Sequence, residues 1–138
     1  MQAAGKSRVV VTGLGLVSPI GDSYDAVHGA LRDGRHGIRC VDSWHDWGVR
    51  TALGGVVDDP ALDGFGRKQV RAMGKVARLA TAATAAAIAD AGLADEIVHA
   101  PTTALFYGST DGSTGAAEDY YRKLYTRHTF DGLLSSSY

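Results

Sequence analysis

The sequence predicts a layered α/β fold, present as an incomplete piece of a larger one. Three observations carry that expectation. Residues 8–12 (RVVVT) form a β-branched run suited to a strand buried on both faces of a parallel-type sheet. Residues 103–107 (TALFY) form a second run of this kind. Between them, residues 67–91 read as one long alanine-rich helix whose second half, LATAATAAAIA, carries no charge on any side. A helix apolar all round needs cover on nearly every side, and a layered domain supplies that cover with several strands. Two strong strands and two weak ones are too few.

Taken in order, the first strand runs into a turn spanning Gly13 to Gly21. Asp22 or Ser23 then caps a helix in which Tyr24, Val27, His28 and Leu31 share one face, with Gly34 closing it. His28 on that stripe reads as a packed, hydrogen-bonded histidine rather than a ligand. Residues 37–63 are irregular: Trp44 and Trp47 are expected to pin a loop, and residues 51–57 to form a short strand. His36 and His45 lack metal-ligand partners at helical or hairpin spacing and read as structural or exposed. The long helix is basic in its first half and stops at Gly92. After TALFY comes GSTDGSTG, then a helix over about residues 115–127. Its Glu118 and Asp119 lie toward the positive end of the dipole, with Arg122, Lys123 and Arg127 toward the negative end. No internal repeat or low-complexity linker interrupts the chain.

Composition narrows the function classes. The chain has 138 residues, 45% hydrophobic and 21% charged, which is ordinary for a globular protein and wrong for disorder. A formal net charge of −1 gives no global attraction to nucleic acid or an anionic membrane, so neither is expected as a partner. The single cysteine, Cys40, excludes an intrachain disulfide and a cysteine zinc cage, and no metal is expected. It fits a reducing, cytoplasmic setting. Lys6, Arg8 and the apolar residues that follow could suggest a signal peptide, but two glycines and a threonine interrupt the run and strand composition explains it better. Residues 79–89 are too short a stretch to span a bilayer.

A strand followed by Gly13-x-Gly15 invites a nucleotide reading, and the details refuse it. The dinucleotide fingerprint needs a third glycine where this chain has Ser18, and Pro19 keeps Ser18 out of helical geometry. The helix therefore cannot begin where a pyrophosphate would need its N-terminus. Asp33, near the spacing of the ribose-binding acid, ends a helix instead of a strand. GSTDG has serine second rather than third, so it is no nucleophile elbow, and no lysine follows to make a phosphate loop. A nucleotide-dependent oxidoreductase is the least favoured reading.

RVVVTGLGLVSPIG, continuing to LRDGRHGI, resembles the start of the elongating β-ketoacyl-(acyl carrier protein) synthases. GRKQVRAM, AIADAGL and FYGSTDGST follow in the same order at similar spacing, so the likeness runs through nearly the whole chain. The resemblance implies a thiolase-like α/β fold and decarboxylative Claisen condensation of an acyl thioester with a malonyl unit. It also implies a cysteine nucleophile activated at a helix N-terminus and two histidines. In the family those residues come later than this sequence reaches. Residues 1–138 are thus expected to be the portion before the nucleophile, with no catalytic residue carried over, Cys40 included. No cofactor of its own is implied, since phosphopantetheine arrives on the carrier protein.

The resemblance also assigns a partner surface. Arg67, Lys68, Arg71, Lys75 and Arg78 include no acid, and residues 67, 71, 75 and 78 line one helical face. In the synthases the equivalent helix start contacts the acidic carrier protein; Lys68 and Arg71 match best, with Arg67 and Lys75 beside them. A solvated basic face is the plainer alternative. Thr110 and Asp111 fall where the family shapes its acyl pocket near the dimer interface, while Asp111 equally suits a side-chain cap on the next turn. The implied parent is a homodimer, or a heterodimer of synthase and chain-length factor. A non-catalytic chain-length-factor-like partner or truncated scaffold is the competing reading.

Overall fold

The computed structural model describes residues 8–131. Helix α1, Tyr24–Arg32, begins where the sequence places it: Ser23 is extended, and its Oγ accepts from the Ala26 amide at 3.3 Å. Asp25 in the first turn and Arg32 in the last suit the helix dipole. Gly34 follows at φ 66°, a left-handed position that glycine occupies without strain. Only Ala30 of this helix is buried. His28 is exposed and stacks flat on Tyr24, ring centroids 5.6 Å apart, which corrects the expectation of a packed, hydrogen-bonded histidine.

The irregular region contains more order than its composition announces. Strand β1, Ile38–Cys40, pairs antiparallel with β2, Leu53–Gly55, in the register Ile38↔Gly55, Arg39↔Gly54, Cys40↔Leu53. Helix α2, Asp42–Asp46, fills the connection. Trp44 lies on Gly54, where an added Cβ would come within 2.6 Å of the indole. Trp47 is 71% exposed and pins nothing, because α2 ends before it can turn inward.

The single long helix expected over 67–91 is two helices, α3 (Arg67–Ala72) and α4 (Lys75–Asp90). Met73 takes ψ 127° and Gly74 is the extended N-cap of α4, so the i→i+4 ladder is interrupted between them. A side chain at Gly74 would meet Ser113, with its Cβ 2.6 Å from the Ser113 Cβ. The break therefore sits where another segment crosses closely. A short α5, Asp95–Val98, is unforeseen in the sequence reading; α6, Thr114–Arg127, is the last helix among the described residues and ends at His128 in a left-handed C-cap.

Residues 8–12 and 103–107 do not form buried strands. They have no ladder partner among the described residues, and their side chains face outward: Val9 is 92% exposed and Phe106 93%. A ladder needs a facing edge, and no described segment provides one. What the first segment does instead is lean on α4. A Cβ on Gly13 would lie 2.5 Å from the Ala87 carbonyl oxygen, and one on Gly15 would overlap that of Ala83. Between them the Leu14 amide donates to Asp90 Oδ2 at 2.8 Å. Beyond the glycines the chain reverses through a turn closed by paired Ser18 and Gly21 backbone bonds, 2.9 and 3.2 Å long. The buried core is small: Ala30 and Ala52 among the described residues.

Candidate functional site

At Gly13 and Gly15 the backbone of α4 occupies the space that a side chain would need. Among the described residues no group of three or more His, Cys, Asp or Glu side chains is placed to hold a metal. No helix among the described residues is long and apolar enough to cross a membrane.

The basic residues divide into two sets. Gly66 caps α3, and its amide donates to Gln69 Oε1 at 3.0 Å, which fixes the first turn. From that turn Arg67, Lys68 and Arg71 project to solvent with no acid in their helix. Lys75 and Arg78 belong to α4 and are bonded to the segment before α3, Lys75 while exposed and Arg78 while half-buried. Lys75 Nζ donates to the Val57 carbonyl at 2.6 Å, and Arg78 pairs with Asp59. Arg78 Nε is buried without a partner. These two bonds tie the segment carrying Val57 and Asp59 to α4. The single face expected for residues 67, 71, 75 and 78 is therefore split, since a continuous helix would be needed to align it.

A shallow groove of about 430 Å³ runs beside α3, lined by Leu62, Asp63, Phe65, Arg67, Val70, Arg71 and Arg78. Three guanidinium side chains, one carboxylate and three apolar side chains thus share this groove. A second groove of about 420 Å³ lies along α4, with Phe65, Thr81, Thr84, Ile88, Leu105 and Tyr107 among its lining residues. Phe65 borders both grooves.

Thr110 and Asp111 are exposed and line neither groove. Their loop is closed by Ser109, whose Oγ accepts from the Gly112 amide at 3.0 Å, with Gly112 at φ 64°. The cap expected of Asp111 is made by Ser109, two residues earlier, because the reversal falls at Gly112. Leu105 and Tyr107 are the apolar lining that the sequence reading did not single out. Their alternate positions in TALFY, which share one side of an extended segment, are the signal that could have found them.

The family described as "Beta-ketoacyl synthase, N-terminal domain" matches residues 6–135. The 3-oxoacyl-[acyl-carrier-protein] synthase 1 of Escherichia coli K12 is 39% identical over 107 residues, covering 77% of this chain and 26% of that protein. The actinorhodin polyketide putative β-ketoacyl synthase 1 of Streptomyces coelicolor is 26% identical over 145 residues, covering 95% of this chain and 31% of its own length. In three dimensions the chain superposes on a β-ketoacyl synthase from Burkholderia phymatum STM815 with a TM-score of 0.76 and 31% identity, covering 94% of this chain and 32% of that one. The fold is thus the thiolase-like α/β fold in part, and the chain spans between a quarter and a third of the length of these relatives. With this likeness over residues 6–135 of its 138, the chain belongs to the β-ketoacyl synthase family.

Proposed function

We propose that this chain forms the N-terminal part of a β-ketoacyl-acyl-carrier-protein synthase, an acyltransferase of fatty-acid or polyketide-type synthesis. In that reaction a malonyl thioester loses carbon dioxide and the resulting carbanion attacks an enzyme-bound acyl thioester. The match over residues 6–135 carries the reading. The nucleophile and its histidine partners lie outside these residues, and Cys40 does not replace them. What this chain contributes is structure and a landing face. Arg67, Lys68 and Arg71 attract an acidic acyl carrier protein, and Lys75 and Arg78 hold the neighbouring segment so that the face keeps its shape. Pairing as a homodimer, or with a chain-length-factor-like subunit, belongs to the same proposal.

Exposed rim charges act mainly on association rate and salt dependence. Lys68→Glu with Arg71→Glu is expected to weaken binding of an acyl carrier protein about tenfold or more at low salt, at up to about 1 kcal/mol per charge. Far-UV circular dichroism should be unchanged. Titration calorimetry at two ionic strengths measures it, and unchanged affinity at low salt overturns the docking face. The chain alone is expected to release no carbon dioxide from malonyl-carrier protein; turnover through an acyl thioester on Cys40 would overturn the division of labour.

A further inference from the structure

Helix α6 has a covered side and a bare one. Ala116, Tyr120 and Leu124 are half-buried, whereas Thr114, Glu118, Tyr121 and Tyr125 follow at steps of four, three and four and are all exposed. That spacing draws a straight stripe along about three turns of the helix. Two large rings dominate it, Tyr121 at 53% and Tyr125 at 71% exposure. They stack on one another with centroids 6.2 Å apart, and Tyr120 packs edge-on to Tyr121 at 5.3 Å. Arg122 borders the stripe with its side chain 71% exposed, weakly engaged by Asp119 at 4.0 Å. Glu118, one turn earlier, has no ion-pair partner among the described residues.

We propose that this stripe is a self-pairing face, on which a second copy of the chain lays its own α6 antiparallel about a two-fold axis beside Tyr121. A two-fold contact uses the same patch on both copies, so the patch must match itself when its order is reversed. This one does. Reversal brings Tyr125 of each copy over Thr114 and Ala117 of the other, small side chains in the first turn, and sets the two Tyr121 rings together. It also puts Glu118 of each copy beside Arg122 of the other, giving two charge-assisted pairs flanking the axis. A parallel pair would instead set Glu118 on Glu118 and Arg122 on Arg122. Nucleic acid is a poorer fit, because the rings are stacked on each other and a carboxylate stands in line with them. Three turns of helix bury less than the about 1,600 Å² of a standard stable interface, so a dissociation constant of about 10–100 μM is expected. The face is argued from α6 alone; its failure leaves the docking and condensation readings standing, since their tests measure other quantities.

Exchanging the charges tests the pairing. Glu118→Arg alone faces Arg122 of the other copy, and Arg122→Glu alone faces Glu118, so each variant by itself is expected to pair about tenfold or more weakly. An equimolar mixture of the two should recover the unaltered affinity, because both pairs across the axis are then opposite in sign. Sedimentation velocity over a range of concentrations reads this, with a dye on Cys40, the only cysteine and an exposed one, marking one variant. Tyr121→Ser is expected to abolish pairing. Far-UV circular dichroism should be the same for all three, since the altered residues are exposed. A monomeric unaltered chain overturns the proposal. So does association that both single variants leave unchanged, which would place the contact on the open segments around Val9 and Phe106. Loss of pairing in the single variants without recovery in the mixture overturns it too.

Discussion

Gly13 and Gly15 show how one residue type can imitate a motif while serving another end. Their spacing puts both α-carbons on the same side of an extended segment, and that side meets the backbone of α4 at Ala83, Ala87 and Ala91. The requirement is for absence of a side chain, as at a nucleotide loop, but the neighbour is a helix carbonyl. Asp90 adds direction by accepting from the amide between them. Gly15→Ala is expected to cost about 2–3 kcal/mol through overpacking, seen as loss of the far-UV helical signal on mild urea treatment. Gly64→Ala, where an added Cβ meets nothing within 4 Å, should change little. Equal effects at the two positions would remove the close-packing explanation.

Among the elements, the interruption between α3 and α4 matters most. It separates the exposed Arg67, Lys68 and Arg71 from the engaged Lys75 and Arg78, and it rests on Gly74 crossing Ser113, the N-cap residue of α6. Gly74→Ala should destabilise by about 1–3 kcal/mol, and Ser113→Gly should relieve most of that cost in a double-mutant cycle. Ser113 makes no side-chain cap bond, so its own replacement is mild. Additive effects would show that the two residues do not press on one another. Helix α6 carries an exposed ion pair between Asp119 and Lys123, four residues apart. A hydrogen bond from Lys123 is the main cause holding the Asp119 carboxyl below its ordinary value of 3.8. A depressed folded-state value means that the ionised form stabilises the helix above pH 3.8 and that this support is lost as pH falls through the lower folded value. Acid titration by circular dichroism should therefore show α6 losing helix only below that point, and Lys123→Gln should flatten this acid response.

For the molecule as a whole, surface is the deciding quantity. The chain exposes 11368 Å², whereas a compact protein of 14.4 kDa exposes about 6,800 Å². The difference is apolar where the two sheet-like segments lie open, at Val9, Val11, Leu105 and Phe106. These residues have the composition of inner strands and the accessibility of a surface, which is the state of a layer without its neighbours. A dye that fluoresces on apolar surface should bind strongly under native conditions, and urea unfolding should be broad with a low midpoint. Weak dye binding with a sharp, late transition would contradict the surface estimate. The apolar helix pointed to this shortage of sheet from composition alone. The size of the shortage needed coordinates, because exposure depends on which segments are present to cover which.

The local features were legible in the residues: the Ser23 cap, the Gly34 stop, the charge order along α6 and the broken nucleotide fingerprint. Each depends on neighbours within a few positions, where backbone sterics and hydrogen bonding act directly. The family likeness was legible as well, from several motifs in order along nearly the whole chain. The tertiary structure decided the break at Gly74, the seat of Gly13 and Gly15 on α4, the bonds of Lys75 and Arg78 to Val57 and Asp59, and the meeting of Cys40 with His45. Those outcomes rest on contacts between elements, and no periodicity or propensity in the chain encodes which distant backbone will lie against a given side chain.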